Sequence, residues 1–380
     1  MPRARAAVWA AGLVATAALA VVRTRLARRE IRRQRPAAPV DDVTVLVAVR
    51  SGDPLLPARL GEQARGLAPA QVLLLVDDDD PVGQDAARGA AAGRPGVRVV
   101  VCAPPEPGTN PKVHKLALAQ ADCRGVVVLL DDDTVLPPGA LGRLVGGLEE
   151  ADLATGIPVY LDGDGPWSRL LAGFVNSSAL PTYLAQAALG PPVSVNGMVV
   201  AARRSDLERI GGLASLLDAT CDDYALALAF RRHGLTIRQL AEPALLATTV
   251  ADGAAYVRIM RRWLLFAQEV LRRDLSPRLV TLVLLPSVLP LAVTAAAVAT
   301  GPLATAATVA VLAGQSHATR TLRREAGVPP ERPGGLLVEV VALLLAPLHL
   351  LTAVLGPRHV RWRGRRVRVG VGDRAAGARA

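Results

Sequence analysis

Residues 6–22 (AAVWAAGLVATAALAVV) carry no charged side chain and are followed at once by Arg23, Arg25, Arg28, Arg29, Arg32, Arg33 and Arg35. A charge-free run of about 17 residues is at the short end of what spans a bilayer, and a cluster of arginines strongly resists translocation. The segment reads as an uncleaved anchor running outside to inside, with residue 23 onward in the cytoplasm. A cleavable signal peptide is the competing reading, because Ala18-Leu19-Ala20 resembles a small-residue cleavage site. The formal charge of +11 belongs to the ends. Residues 1–40 hold nine Arg and one acid, residues 356–380 hold eight Arg and one acid, and what lies between is mildly acidic. A nucleic-acid domain spreads its cations over a folded face with aromatics interleaved. Here they flank apolar segments, so a membrane and no nucleic acid is the expected partner; no protein partner is expected.

Residues 279–300, 302–314 and 335–355 are apolar and interrupted by Pro286, Pro290 and Pro347, which membrane helices tolerate. The first two are expected to form a hairpin about Gly301-Pro302 that returns at Arg320, Arg323 and Arg324. The third, if it crossed, would put Arg358 to Arg368 outside, so a re-entrant or interfacial segment around Ala346-Pro347 is expected. The domains expected are a membrane anchor and basic flank (1–40), a cytoplasmic catalytic domain (41–275), C-terminal membrane segments (276–357) and a basic tail (358–380).

Between the membrane segments, VTVLVAV (43–49), VLLLV (72–76), VRVVV (97–101) and VVVLL (126–130) are short apolar runs separated by Ala- and Leu-rich stretches of helical spacing, 55–68, 82–92 and 111–123. Such runs suit parallel strands covered by helices on both faces, an α/β domain with a mostly parallel sheet. The three cysteines lack C-x-x-C spacing, so neither a disulfide framework nor a zinc cluster is indicated.

In open α/β sheets ligands bind beyond the carboxyl ends of the strands. VLLLV runs into Asp77-Asp78-Asp79-Asp80 and VVVLL into Asp131-Asp132-Asp133, while Asp222-Asp223 opens the helix-like stretch YALALAF. One such run is ordinarily a solvated turn or a helix cap; three in one small domain point to a site. Asp131 and Asp133 are hard oxygen ligands suited to Mg²⁺ or Mn²⁺ shared with substrate phosphates. There is no G-x-x-x-x-G-K-[ST] loop, no H-E-x-x-H and no G-x-S-x-G, which argues against a P-loop ATPase, a zincin protease and an esterase.

The order Asp77 cluster, Gly108-Thr109-Asn110-Pro111-Lys112-Val113, Asp131-Asp132-Asp133, Asn196-Gly197-Met198, Gly211-Gly212, Asp222-Asp223-Tyr224 and Arg261-Arg262-Trp263 resembles the membrane-bound inverting glycosyltransferases, and among them the ceramide glucosyltransferase-like branch with its bacterial lipid and hopanoid glycosyltransferases. The resemblance spans about residues 41–270 and, more loosely, 362–369. It implies a GT-A-like nucleotide-sugar domain flanked by N- and C-terminal transmembrane helices. It also implies a nucleotide-sugar donor, UDP-glucose foremost, a divalent metal, and a membrane lipid hydroxyl as acceptor. Asp77 matches the family's first aspartate, near the nucleotide base, with Asp79 in the same loop. Asp131 and Asp133 match the motif that binds metal and diphosphate, Asp223 matches the general base, and Arg262 and Trp263 match the end of a Gln/Arg-x-x-Arg-Trp motif near acceptor and diphosphate.

The first position of that last motif is Ile259, which leaves Arg258, Arg261 and Arg262 as alternatives for the diphosphate contact. Asp222 stands where relatives usually have Glu, and His114 where an Asn is common. Lys112 is expected to help hold the diphosphate or else only to pair with an acid. The Asp223 carboxylate is expected to be stabilised in its charged form by helix N-terminal amides, with Asp222 as the candidate cap. A processive polysaccharide synthase and an inactive membrane scaffold are the alternatives to single transfer. An Ala- and Arg-rich composition suggests a bacterial cell membrane.

Overall fold

The computed structural model describes residues 2–33, 36–330, 334–356, 358–362 and 365–368. In chain order these form α1 (Pro2–Ile31), β1 (Val43–Val49), α2 (Leu56–Gly66), β2 (Gln71–Asp77), α3 (Pro81–Ala91), β3 (Val97–Cys102) and α4 (Pro111–Ala119). Next come β4 (Val126–Leu130), β5 (Thr134–Val135), α5 (Ala140–Gly146), β6 (Leu153–Tyr160), α6 (Pro166–Leu189), β7 (Val199–Arg203), α7 (Arg204–Arg209), α8 (Asp222–Arg232) and β8 (Ile237–Leu246). The remainder is α9 (Gly253–Asp274), α10 (Pro277–Leu279), α11 (Leu285–Thr300), α12 (Pro302–Glu325), α13 (Gly335–Leu355), β9 (His359–Trp362) and β10 (Arg365–Arg368). Arg35 and residues 369–380 of the basic tail lie outside the described residues.

Contacts divide the chain into two units, one of residues 1–33, 159–190 and 250–356, the other of 34–158, 191–249 and 357–380. The sequence suggests one uninterrupted block at 41–275. The structure instead groups α6 and α9 with the apolar helices, because α6 packs against α1, α12 and α13, and α9 packs against α13.

In the second unit, eight strands form one sheet in the order β3-β2-β1-β4-β7-β6-β8-β5. The four expected runs are its parallel half, with β1 paired to β2 and to β4, and β2 to β3. Every residue of β1 but Ala48 is buried, as expected for a strand covered on both faces. β4 pairs antiparallel with β7, β7 with β6, and β5 with β8, so the whole sheet is mixed. Chain order runs outward from β1 through β2 to β3 and then resumes at β4 on the other side of β1. That reversal makes a switch point, the place in an open α/β sheet beyond whose strand ends ligands bind, and here Arg50 N–H after β1 donates to Asp132 Oδ2 after β4 at 2.8 Å.

In the first unit, among the described residues, three helices are long and apolar enough to cross a membrane: Arg3–Ile31, Pro277–Thr300 and Gly335–Leu355. α11 and α12 meet at Gly301-Pro302, as the hairpin reading expects, and Gly301 has φ +137°. α13 differs from expectation. It is one unbroken helix through Pro347, since the neighbouring helices pack around it and a proline inside such a bundle need not end the helix. Among the charged groups inside, Arg323 is 1% exposed and meets Glu339 and the Asn176 carbonyl oxygen. Trp9 Nε1 donates to Thr308 Oγ1 at 2.9 Å, fastening α1 to α12.

Candidate active site

The Gly108–Val113 stretch builds the start of α4. Asn110 is the N-cap, its Oδ1 accepting from the backbone N–H of Lys112 (2.9 Å) and Val113 (3.3 Å), and Pro111 takes the first helical position, where its missing N–H costs nothing. Asn110 Nδ2 donates to the Ala219 carbonyl at 2.9 Å, and its own N–H to that of Leu217. The cap thereby ties α4 to the loop that leads into α8.

This tie places Lys112 between two acid runs. Its Nζ lies 2.7 Å from Asp131 Oδ1 and 3.1 Å from Asp222 Oδ2. Although burial opposes its charge, Asp131 and Asp222 raise its pKa well above the usual lysine value. Without substrate Lys112 therefore pairs with acids, a permanent cation at the junction of β4, α4 and α8.

Asp131, Asp132 and Asp133 form the tight turn from β4 to β5. Thr134 N–H donates to the Asp131 carbonyl, and the buried Gln63 of α2 donates through Nε2 to the carbonyls of Asp131 (2.8 Å) and Thr134 (2.6 Å). Asp131 N–H reaches the Met198 carbonyl, so Met198 is wall, packed against the core. Asp133 accepts from Thr134 Oγ1 (3.2 Å) and Thr248 Oγ1 (3.1 Å). Burial first, then the charges of Asp131 and Asp132, push its pKa up to about 7, and burial lifts that of Asp132 to about 6.

Asp77 ends β2 and is 3% exposed. Its Oδ2 accepts from Arg50 Nη1 (3.1 Å) and Lys115 Nζ (3.2 Å). Asp79 is exposed and paired to Arg50 at 3.2 Å. Asp80 is the N-cap of α3; burial opposes its charge, but bonds from Ser51 and Gly83 win and hold its pKa below the ordinary carboxylate value. His114 Nε2 contacts the Ala103 carbonyl at 3.0 Å.

Arg50, Gln63 and Lys115 have no signal of their own in the linear sequence. Lys115 is fully buried and also donates to the Val49 carbonyl at 2.6 Å. The one available hint was its place a turn beyond Lys112 on the same helix.

Asp223 sits in the first turn of α8, whose N-cap is Cys221, not Asp222. The Asp222 carboxylate faces Lys112 instead of the helix amides. Contrary to expectation, Asp223 is not held in its charged form: burial, then the neighbouring charge of Asp222, outweigh the bonds it accepts and raise its pKa to about 6. A carboxylate with that pKa is ionised at neutral pH yet a stronger base than a solvated one.

Arg262 and Trp263 belong to the other unit, on α9. Arg258 and Arg262 are exposed. The Trp263 ring lies 6.2 Å from that of Tyr160. Nε and Nη2 of Arg261 are buried without a hydrogen-bond partner, and Nε would stand 3.0 Å from a Cβ at Gly356.

Among the described residues no group of three His, Cys, Asp or Glu converges as a metal cage. Two carboxylates are nonetheless the donor set suited to Mg²⁺ or Mn²⁺, which keep waters and share substrate phosphates. By the chemistry of this donor set the residues fit such an ion, with Asp131 meeting Lys112 through Oδ1 and Asp133 steadied by the Thr134 and Thr248 hydroxyls.

A search of curated proteins finds no match. Among solved structures, a mannosyltransferase from Pyrobaculum calidifontis, in complex with GDP-Man and Mn²⁺, matches with TM-score 0.50 and 18% identity over 92% of this chain and 99% of its own. S. aureus TarS residues 1–349, in complex with UDP-GlcNAc, matches with TM-score 0.38 and 13% identity over 86% and 96%. The first supports the GT-A fold. The family model of glycosyl transferase family 21 matches residues 7–375. With nearly the whole chain covered, this protein belongs to glycosyl transferase family 21.

Proposed function

We propose that this glycosyltransferase moves a hexose, glucose foremost, from a UDP-type nucleotide sugar to a hydroxyl of a membrane lipid, ceramide-like or of another class, with inversion. The observation that supports this most is the junction at Lys112, where one ammonium joins Asp131 at the end of β4 to Asp222, the neighbour of Asp223 on α8.

Inversion by single displacement needs one base and a stabilised leaving group. Asp223 takes the proton of the acceptor hydroxyl as its oxygen bonds to the anomeric carbon. The bond from that carbon to the diphosphate breaks, and its electron pair leaves with the phosphate. Lys112 offers positive charge to the diphosphate, at the position where it now neutralises Asp131. Asp131 and Asp133 would hold a divalent cation, which when bound supplies further neutralisation of the leaving group. Asp77 and Asp79 are assigned to the nucleotide. Arg262 and Trp263 enter the proposal from the sequence motif alone.

Membranes holding the protein, incubated with a panel of labelled nucleotide sugars, should yield a lipid heavier by one hexose, from UDP-glucose above the others. Label found only in polymer would overturn single transfer in favour of a processive synthase.

The catalytic unit is assigned to the cytoplasmic side of a bacterial membrane, supported by the Arg cluster after Val22 and by the cytoplasmic supply of nucleotide sugars. A cysteine placed at exposed Asp85 should be shielded from impermeant thiol reagents added to intact cells. Labelling from outside would overturn that orientation.

A further inference from the structure

The carboxylate of Asp223 is asymmetrically dressed. Cys221 Sγ–H donates to Oδ1 at 2.8 Å, and the backbone N–H of Tyr224 donates to the same oxygen at 2.7 Å. Among the described residues no group donates to Oδ2. Gly197 is a neighbour of Oδ2: a Cβ there would stand 3.5 Å from that oxygen and 3.4 Å from the Asp223 Cβ, so a side chain at 197 would lie against Oδ2 where glycine does not. The other two cysteines differ: Cys102 and Cys123 donate to backbone carbonyls, at 3.7 Å and 3.4 Å.

Resting on the reading of Asp223 as the base, we propose that Cys221 is its positioning residue: the thiol and the Tyr224 amide hold Oδ1, and Oδ2 is the oxygen that receives the acceptor proton. Two donors on one oxygen fix the carboxylate plane and leave the other oxygen's lone pairs directed at the acceptor. Cys221 is suited to this. It is 7% exposed, and burial followed by the charge of Asp223 pushes its pKa well above the usual thiol value, so it remains an S–H donor and never a competing thiolate. The groups facing Asp223 are Asp222, which disfavours its charge, and Cys221, the Tyr224 amide and Lys112 of α4, which favour it. Removing the thiol takes away a donor to the charged form, so the base should hold its proton to higher pH.

The test compares wild type, Cys221→Ala, Cys221→Ser and Asp223→Asn as full chains in membranes, with UDP-glucose as donor and total membrane lipid as acceptor, between pH 5 and 8.5. Wild type should lose activity below the Asp223 pKa of about 6. In Cys221→Ala that acid limb should move up by about one pH unit, with activity at pH 5.5 down about tenfold, donor affinity kept, and the loss largely gone at pH 8. Cys221→Ser, a near-isosteric donor, should restore the wild-type limb. An unmoved limb in Cys221→Ala, or a loss equal at every pH and unrescued by Ser, would overturn the positioning role. Asp223→Asn separates the two claims. If it is inactive while the Cys221→Ala limb is unmoved, the base stands and the positioning role falls; if it transfers normally, both fall.

Discussion

Replacing Asp223 by Asn is expected to lower transfer by about 10²–10⁴, the loss typical of removing a general base, while nucleotide-sugar affinity stays nearly unchanged. Affinity survives because the proposed donor contacts come from Asp77, Lys112 and Asp131, which do not depend on the Asp223 charge. The variant should also melt no lower than wild type. Its native pKa of about 6 is above the ordinary 3.8, so ionisation of Asp223 opposes folding, fully above pH 6 and not at all below the unfolded value. Asn removes that cost at neutral pH. Asp222→Asn is the informative neighbour. It breaks the pair with Lys112 at 3.1 Å and removes a charge that raises the Asp223 pKa, so its acid limb should move down in pH while the base itself survives. Turnover, donor affinity and melting temperature measured side by side decide. An active Asp223→Asn beside a folded but inactive Asp222→Asn would move the base by one residue.

The second large effect concerns the acid turn after β4. Chelation should abolish transfer, and added Mn²⁺ or Mg²⁺ should restore it. Asp131→Asn should cost about 10² or more, the scale of lost charge stabilisation at a leaving diphosphate. Its fold should hold, since the turn is kept by backbone carbonyls bonded to Gln63 and Thr134 and not by the Asp131 carboxylate. Full activity in excess chelator would overturn the metal reading whatever Asp131→Asn does.

Much of the molecule was legible in one dimension, and each part has a local reason. A strand covered on both faces has no place for a charge, so β1, β2 and β4 stand out as apolar runs, and the last two of them end in acids. Asn110-Pro111 marks the start of α4 because a side-chain acceptor and a missing N–H suit the helix end and nowhere else in it. The charge-free run 6–22 within α1 and the arginines that follow it announce a membrane segment for the same kind of reason.

Other features depend on what folding brings together. Arg50, Gln63 and Lys115 are ordinary helix or loop residues until β1 lies between β2 and β4. Only that pairing carries Arg50 and Lys115 to Asp77 and Gln63 to the Asp131 turn, across sequence separations that no spacing rule spans. The grouping of α9 with the apolar helices likewise follows from packing, since its own arginine-rich composition resembles that of a soluble helix. Asp223 shows the limit most directly. Helix position by itself favours its charged form and the adjacent Asp222 opposes it, but burial, the largest cause, is a three-dimensional quantity, and it tips the balance. What the sequence by itself determined is which groups are present and which short stretches are strand, cap or anchor, because those follow from local sterics and hydropathy. The pairing of Lys112 with two acid runs, and the proton affinity of Asp223, were decided by the tertiary structure, because electrostatic energy depends on distance and on exclusion of water.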